Sequence, residues 1–426
     1  MRFTHDLQRR LQAVEGFGWD RFLESPWPAP LPRMSFAPAH VGPSGDILLV
    51  IFLRGAADGL NIIVPHGDDE YYEVRPTLAI ARPDDSKVGE VRRTKDLDGF
   101  FGLHPGLAPL TDAWDAGHLG LLHACGSPED SRSHFRAMEY MERGVSTDFG
   151  PASGWLNRHL ALMNRQSQSP LRGLGWGEAV PRSLQGSVPV MALSSITEAH
   201  MGGDMQPARL FRESLRVLYG TSREMNVLGN ETLDVLEALE VLDPEKYQPT
   251  GDRDYPLTEF SQGLKQVAML IKAQIGLEVA AIDLGGWDTH FAQGGADGQM
   301  ANLLADLGGG LAAFHADLEK FIDQVTVVVM TEFGRRVSEN ASLGTDHGHG
   351  GVMLLLRGGV KGGRVFADWP GLKRDRLFGP GDLQVTTDYR DVLSEILHLR
   401  LGNPDVENVF PDFITTRSGF IFPLTA

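Results

Sequence analysis

Two apolar runs in the last third of the chain lead directly into residues that commonly bind metal ions. The run Val279–Leu284 precedes Asp288 and His290, and the run Val325–Thr331 precedes Glu332. In an open α/β sheet the carboxyl ends of the strands line one crevice, so side chains that follow different strands can meet there. The sequence therefore predicts that these three residues contribute to one site.

The spacing within these segments suits shared ligation of a cation. Residues i and i+2 of an extended segment face the same side, which allows Asp288 and His290 to bind one ion. Asp346 opens a segment that repeats this spacing with two imidazoles, His347 and His349, beside glycines. Carboxylate oxygen combined with imidazole nitrogen favours zinc, manganese or iron over calcium. We expect one or two divalent ions, either zinc, manganese or magnesium.

Each of these assignments has a structural alternative. Asp288 could cap a helix and leave His290 on the surface, and the glycine-rich segment could be a flexible loop. Glu332 either faces a cation or forms an ion pair with Arg335 or Arg336. The residue types alone leave both alternatives open.

A candidate nucleophile lies in the segment Ser-Arg-Ser-His-Phe that begins at Ser131 and opens a predicted helix. Ser131 or Ser133 could simply be the N-cap of this helix, but the free N–H groups there also favour an oxyanion or a phosphate. Arg132 and Arg54 could neutralise the same anion. Asp58 is either a metal-bridging carboxylate or half of an Asp-Gly turn.

The remaining chain contains the elements that position these residues. Short apolar runs without alternation are typical of strands buried on both faces, and segments with helical periodicity separate them. The predicted strands are Ile47–Leu53, Leu119–Ala124, Val188–Leu193, Val279–Leu284, Val325–Thr331 and Val352–Leu356. The predicted helices are Gly106–Ala116, Phe135–Arg143, Leu210–Leu218, Glu231–Leu242, Glu259–Ile275 and Met300–Val325. This alternation predicts a layered α/β fold with a mostly parallel central sheet.

The chain divides into an N-terminal extension and one large domain. Residues 1–45 are predicted to be separate, because the stretch Ser25–Arg33 is rich in proline and disfavours helix and inner strand. Residues 46–426 are predicted to form one α/β domain, within which 205–277 is mostly helical.

Composition excludes several classes of protein and partner. The chain has 56 acidic and 39 basic residues, a formal net charge of −17, which argues against binding nucleic acid or anionic lipid. Cys125 is the single cysteine, so neither an intrachain disulfide nor a cysteine-based zinc site is possible. No apolar stretch approaches the ~18 residues of a transmembrane segment. Nothing in the sequence indicates the oligomeric state.

The N-terminal residues match an export signal only in part. Arg9 and Arg10 form a twin arginine, but Glu15 and Asp20 follow where a signal peptide needs an apolar segment. We therefore expect no export signal in this chain and a cytoplasmic location by default.

Seven blocks, taken together and in order, resemble the domain-of-unknown-function family 1501 (DUF1501). They are Leu49–Asn61, Leu103–Leu110, Ser131–Phe135, Gly154–Arg158, Gly286–His290, Thr331–Arg335 and Gly344–Gly350. That family is similar to the alkaline phosphatase and sulfatase superfamily. The resemblance implies a three-layer α/β sandwich with helices on both faces, a metal site at the strand ends and a small anionic ester as substrate. Related proteins often carry a twin-arginine leader, so it also implies that a periplasmic location is possible.

The resemblance also implies roles for individual residues. They are Asp58 as the acid after the first strand, Ser133 or Ser131 as nucleophile, Asp288 and His290 as a ligand pair, and His347 with His349 as late ligands. The chain departs from the superfamily where a Ser/Ala-Asp-His-Gly block is usual, since it has Thr-Glu-Phe-Gly from Thr331. Phe333 cannot coordinate a metal, and the Cys/Ser-x-Pro/Ala-x-Arg segment of sulfatases is not matched.

Two functions follow as hypotheses. The first is a metal-dependent hydrolase of phosphate or sulfate esters that uses a serine nucleophile. The second is a catalytically degenerate scaffold with a binding or assembly role. A dinucleotide-binding enzyme is excluded, because no Gly-x-Gly-x-x-Gly turn follows the first predicted strand.

Overall fold

The structure is a computed structural model that describes residues 46–163, 170–200, 206–219, 223–240, 242–416 and 418–423. The predicted N-terminal extension, residues 1–45, lies outside the described residues. Among the residues described, no helix is both long enough and apolar enough to cross a bilayer.

Strands and helices alternate along the described chain. The strands are β1 (Ile47–Leu53), β2 (Ile63–Val64), β3 (Lys95–Asp96), β4 (Gly102–Leu103), β5 (Leu119–Gly126), β6 (Gly173–Trp176), β7 (Met191–Leu193), β8 (Val279–Leu284), β9 (Val325–Thr331), β10 (Gly351–Leu356), β11 (Arg364–Phe366) and β12 (Thr387–Asp388). The α-helices are α1 (Gly59–Ile62), α2 (Asp69–Val74), α3 (Thr111–Asp115), α4 (His134–Arg143), α5 (Trp155–Met163), α6 (Gln206–Tyr219), α7 (Arg223–Glu240), α8 (Glu259–Lys272), α9 (Gln299–Asp317), α10 (Tyr389–Leu399) and α11 (Val406–Val409).

Nine of these strands form the central sheet in the order β11-β5-β10-β9-β1-β8-β6-β7, with β12 beside β5. β1 pairs in parallel with both β8 and β9, whereas β10 is antiparallel to both β9 and β5. The connection from Thr331 to Gly351 contains no α-helix, and parallel neighbours usually need a helical crossover. The predicted α/β class with a mostly parallel sheet is confirmed.

Apolar side chains cover both faces of this sheet. In β1, Leu49 and Ile51 belong to one buried cluster and Leu48 and Val50 to a second, because successive side chains of a strand face opposite sides. The first cluster includes the apolar faces of α8 and α9, and the second includes those of α5 and α10. Helices therefore pack against both faces of the sheet.

Several element bounds differ from those predicted. The predicted helix Met300–Val325 ends at Asp317, and Val325 instead begins β9. The predicted helix Gly106–Ala116 is a 3-10 helix followed by α3, because Pro109 removes a backbone donor. The segment 205–277 contains α6, α7 and α8 over its described residues.

Candidate functional site

Three polar side chains converge beyond the carboxyl ends of the strands. His134 is the first residue of α4 after β5, Asp288 follows β8, and His347 lies between β9 and β10. One ligand atom of each lies within 4.8 Å of the other two. The His134 and His347 Nε2 atoms are 2.8 Å apart, and Asp288 Oδ1 lies 3.2 Å from the Nε2 of His347 and 3.5 Å from that of His134.

His290 lies beside this group, although it is not one of the three residues whose ligand atoms all lie within 4.8 Å of one another. Its Nε2 lies 2.9 Å from His347 Nε2 and 3.2 Å from Asp288 Oδ1. The structure thus brings together Asp288, His290 and His347, which the sequence pattern singled out. It adds His134, which sequence reasoning passed over although it belongs to the segment that supplied the candidate serines.

An oxygen acceptor faces the other ring nitrogen, Nδ1, of each imidazole. These contacts are His134 to Glu332 Oε1 at 2.8 Å, His347 to the backbone oxygen of Arg132 at 2.9 Å, and His290 to Asp346 Oδ1 at 3.2 Å. Carboxylate and carbonyl oxygens only accept, so each ring donates its Nδ1–H. In the neutral form of each ring this leaves Nε2 as an unprotonated lone pair directed into the cluster.

This donor set fits a divalent cation. Unprotonated Nε2 atoms only 2.8–2.9 Å apart repel one another unless a proton or a metal ion lies between them. Zinc binds imidazole nitrogen at about 2.0–2.1 Å, which sets neighbouring tetrahedral ligands about 3.3 Å apart. The separations of 2.8–3.5 Å within the cluster bracket this value. Metal-bound histidines also characteristically donate their other N–H to a carboxylate or a carbonyl oxygen.

The carboxylates of the site are held in their charged form. Burial raises the pKa of Asp288, but the hydrogen bond from Arg335 Nη2 at 2.6 Å, the charge of Arg335 and the contacts with His347 and His134 together outweigh it, and the pKa falls to about 2. Burial likewise raises the pKa of Glu332, whereas hydrogen bonds from His134 and from the backbone N–H of Gly55 lower it below its usual value. The hydrogen bond to Glu332 in turn raises the pKa of His134 against desolvation.

Arg335 fixes the loops that carry the ligands. Its guanidinium is fully buried and donates to four backbone oxygens as well as to Asp288. Those oxygens belong to Gly55, Ala56, Trp287 and Thr345. One side chain therefore joins the segments that follow β1, β8 and β9, so the relative positions of the ligands depend on it.

Two glycines permit the close approach of these segments. Gly55 has a φ of +120°, and a Cβ there would lie 2.5 Å from the backbone nitrogen of Asp288. A Cβ on Gly344 would lie 2.4 Å from the carbonyl carbon of His290. Larger residues at either position would push the ligand segments apart.

Phe333 packs against the imidazoles. It is buried, its ring stacks on that of His134 with centroids 5.0 Å apart, and it lies 5.2 Å from the ring of His347. Phe333 therefore forms an apolar wall behind two histidines of the cluster. Such a wall limits the rotation of both rings.

Three of the residues predicted to bind metal do not belong to the cluster of ligand atoms. They are Glu332, Asp346 and His349. Glu332 and Asp346 accept hydrogen bonds from the histidines. His349 stacks on Phe378, with ring centroids 4.5 Å apart. The group of ligand atoms found among the described residues does not include His349.

Asp58 lies apart from the cluster. Its carboxylate is buried and accepts hydrogen bonds from Arg75 Nη1 at 2.5 Å, Arg75 Nη2 at 3.0 Å and Gln293 Nε2 at 2.7 Å. Both oxygens are thus used inside the protein, and Asp58 is not among the described residues whose ligand atoms form the cluster. The Asp-Gly pair does not form a free turn either, since Gly59 begins α1.

The two arginines expected to neutralise an anion are already paired. Arg54 binds Glu142 through two hydrogen bonds of 2.7 and 3.0 Å and also lies 2.9 Å from Asp283. Arg132 donates to Asp382, which is fully buried. Neither guanidinium is presented to the site without a counter-ion, which corrects the expectation drawn from the sequence.

The two candidate serines have different environments. Ser131 Oγ accepts a hydrogen bond from the backbone N–H of Ser133 at 3.2 Å and stabilises the turn before α4. Ser133 is the N-cap residue of α4, is exposed, and makes no side-chain capping bond. Of the two hydroxyls, only that of Ser133 is not used by the turn, and it directly precedes the ligand His134.

Comparisons with known proteins give remote likenesses to solved structures. The phosphonate monoester hydrolase of Agrobacterium radiobacter is 10% identical, over 84% of this chain and 74% of that one, with a TM-score of 0.34. The C-terminal periplasmic domain of EcEptC from Escherichia coli, in complex with zinc, is 10% identical over 77% of each chain, with a TM-score of 0.31. The PH0037 protein from Pyrococcus horikoshii is 14% identical over 87% of this chain and 99% of that one, with a TM-score of 0.31.

Structural similarities with TM-scores this low do not indicate a function. No curated protein matches the chain. The family described as "Protein of unknown function (DUF1501)" matches residues 46–407, which is most of the chain. The chain therefore belongs to the DUF1501 family.

Proposed function

We propose that the protein is a metal-dependent hydrolase of phosphate or sulfate esters, with His134, Asp288, His290 and His347 as the ligands of a divalent ion. The observation that supports this most is the convergence of three Nε2 atoms on one carboxylate while every Nδ1 is bonded to an oxygen acceptor. Imidazole-rich donors favour zinc over magnesium.

The charges around the ligands support the same proposal. Asp288 belongs to the cluster, and Glu332 and Asp346 each accept from one of its histidines. Arg335 is the cation bonded to Asp288. Three carboxylates and one guanidinium leave two negative charges beside the imidazoles. A divalent cation would neutralise these charges.

A bound metal ion and Ser133 would have separate roles in ester hydrolysis. A bound divalent ion polarises an ester oxygen and lowers the pKa of a nearby hydroxyl or water. Ser133 Oγ would attack phosphorus, forming one P–O bond as the bond to the leaving oxygen breaks. The proton lost by the hydroxyl would be balanced by the proton gained by the departing alcohol. Water would then release the phosphate and restore the hydroxyl of Ser133.

The proposal is tested by metal analysis combined with ester hydrolysis. The protein should bind zinc or manganese in a fixed ratio and hydrolyse an aryl phosphate or an aryl sulfate when loaded. His347→Ala should lose both properties. His398→Ala, which changes a histidine of α10 that contacts the backbone oxygen of Asn403, should keep both. Protein that takes up neither metal, or an active His347→Ala variant, would contradict the proposal.

The alternative is a catalytically degenerate scaffold with a binding or assembly role. The ion pairs of two arginines favour this alternative. Arg54 is paired with Glu142 and Arg132 with Asp382, so neither guanidinium is available to bind a substrate anion. The packing of buried Phe333 against two imidazoles favours it as well. Protein that binds a divalent metal stoichiometrically, yet hydrolyses none of the phosphate mono- and diesters or sulfate esters, would support this second function.

We also propose that the helices and the sheet form the three-layer sandwich of alkaline-phosphatase-like proteins. The packing of α8 and α9 on one face and of α5 and α10 on the other supports this arrangement. An experimental structure that superposes on such a protein with a TM-score clearly above 0.5 is the expected outcome. A sheet with one face free of helices would contradict it.

A further inference from the structure

Large apolar side chains are exposed around the candidate metal site. Among the described residues ten large hydrophobic side chains are exposed; three of them lie in the segments that carry the cluster residues, and a fourth stacks on His349. Phe135 follows His134 and is 86% exposed, Phe291 follows His290 and is 73% exposed, and Leu343 is 53% exposed in the segment that leads to His347. The fourth is Phe378, which stacks on His349. We call these four side chains the apolar rim.

Phe291 and Leu343 lie on two segments that are joined by backbone hydrogen bonds. The backbone N–H of Ala292 donates to Ser342 at 3.0 Å, and that of Gln293 donates to Leu343 at 2.9 Å. These bonds join the segment of Phe291 to that of Leu343. Ala292 has a φ of +46° and Leu343 a φ of +57°, conformations that side chains other than glycine rarely adopt. Strained backbone of this kind persists where the surrounding structure imposes it, and it clusters at functional sites.

The other two members are linked to the ligands through short contacts. Phe135 lies in the first turn of α4, directly after the ligand His134. Phe378 donates its backbone N–H to Asp382, the residue that pairs with Arg132. The backbone oxygen of Arg132 accepts from His347. Phe135, Phe291 and Leu343 therefore belong to the segments that form the cluster, and Phe378 contacts His349, two positions after His347.

We propose that the apolar rim binds the alcohol portion of the ester, and that the substrates are esters of aryl or long-chain alkyl alcohols. This inference rests on the proposed function for the anionic end of the substrate. An exposed aromatic side chain gains most from a ligand that removes it from water. A ligand held by the cluster would lie beside His134 and His290, which Phe135 and Phe291 directly follow. The net charge of −17 argues against an anionic membrane surface as the occupant instead.

Binding of alkylphosphonates tests the rim without requiring turnover. Zinc-loaded protein is titrated with ethyl-, butyl-, hexyl- and octylphosphonate by calorimetry. Each fully buried methylene contributes about 0.8 kcal/mol, roughly a fourfold gain in affinity. Because the rim covers only one side of a chain, each methylene is about half buried, and we expect about fourfold tighter binding for every two methylenes. Phe291→Ala and Phe135→Ala should flatten this dependence and leave the affinity for ethylphosphonate unchanged.

A matched control is Phe422→Ala. Phe422 is 55% exposed, and its backbone N–H donates to Gly359, just after β10 and at the end of the sheet opposite the ligands. This variant should keep the full dependence on chain length. The same phosphonates should inhibit any ester hydrolysis in the same order of potency.

The outcomes separate this inference from the proposed function. Equal affinity for all four phosphonates, or no binding of any of them, would overturn the inference even if small esters are hydrolysed. Affinity that grows with chain length, and is lost in Phe291→Ala, would support the rim even if no ester is turned over. Self-association that sedimentation detects in the wild type and that Phe291→Ala abolishes would assign the rim to a second copy and overturn the inference.

Discussion

Glu332 Oε1 lies 2.8 Å from His134 Nδ1, although 198 positions separate the two residues in the sequence. Glu332 is 1% exposed, and it also accepts the backbone N–H of Gly55. The carboxylate expected to bind a metal thus lies behind a histidine and fixes which ring nitrogen carries the proton. Its position orients the lone pair of His134 toward the other ligands.

Replacing Glu332 by Gln should weaken metal binding without unfolding the protein. The amide keeps the shape of the side chain but removes the charge that orients and polarises the His134 ring. We expect zinc affinity to fall by about 10- to 100-fold, measured by competition with a chromophoric chelator. Glu90→Gln, at a side chain that is 80% exposed, should leave the affinity unchanged. Unchanged affinity in a fully folded Glu332→Gln protein would refute this role.

The two serines should differ sharply in their effect on ester hydrolysis. Ser133→Ala removes the hydroxyl that is not used by the turn, and we expect kcat to fall by on the order of 10³-fold with metal content unchanged. Ser131→Ala removes an acceptor for one backbone N–H and should change kcat by only a few fold. Rates are measured on an aryl phosphate. A Ser133→Ala protein with a normal rate would show that water, and not the serine, attacks the ester.

The inner strands could be predicted because their physics is local. β1 is apolar throughout, and β8 and β9 are apolar apart from Asp283, Thr326 and Thr331, since both faces of the sheet are covered. The bounds of all three strands match the predicted ones. β6 was not predicted, because Gly173 and Gly175 make up half of it and glycine has a low preference for strands. Its place in the sheet is set by parallel pairing with β7 and β8.

The candidate ligands could be predicted only in part. Asp288, His290 and His347 follow apolar runs at recognisable spacing, which was sufficient to select them. His134 opens a helix, so its segment was interpreted through its serines and arginines. Contacts between residues far apart in sequence distinguish the candidate ligands from residues with a structural role. Asp58 resembles a ligand in sequence, but its charge is neutralised by the buried Arg75. No local sequence pattern indicates that Asp58 pairs with Arg75.

Asp58→Asn should destabilise the fold and leave metal binding intact. Asp58 and Arg75 are 1% and 0% exposed, and neutralising the acid leaves a buried guanidinium without its counter-ion. Breaking such a pair costs about 3–5 kcal/mol in the free energy of unfolding, measured by urea denaturation. Asp69→Asn, whose side chain is 87% exposed, should cost less than about 1 kcal/mol. If Asp58 were instead a ligand, its replacement would lower the ratio of bound metal to protein.

Buried histidines should make the stability of the fold depend on pH. His123 is fully buried, its Nε2–H donates to the backbone oxygen of Ile63 at 3.0 Å, and its Nδ1 accepts from the backbone N–H of Ala124 at 2.8 Å. Burial lowers the pKa of His123 from 6.5 to about 3 and that of His104 to about 4. Both rings therefore remain neutral in the folded protein at pH values where the unfolded chain takes up protons.

The sign of the effect follows from this difference in proton uptake. The stabilisation from the neutral His123 ring is complete above pH 6.5 and is lost as the pH falls toward about 3. Between these limits the free energy of unfolding should decrease by about 1.4 kcal/mol per pH unit for each such histidine. Urea denaturation at pH 7, 6 and 5 measures this slope. His123→Gln should show a slope that is smaller by that amount, because glutamine does not titrate, and identical slopes in the two proteins would contradict the assignment.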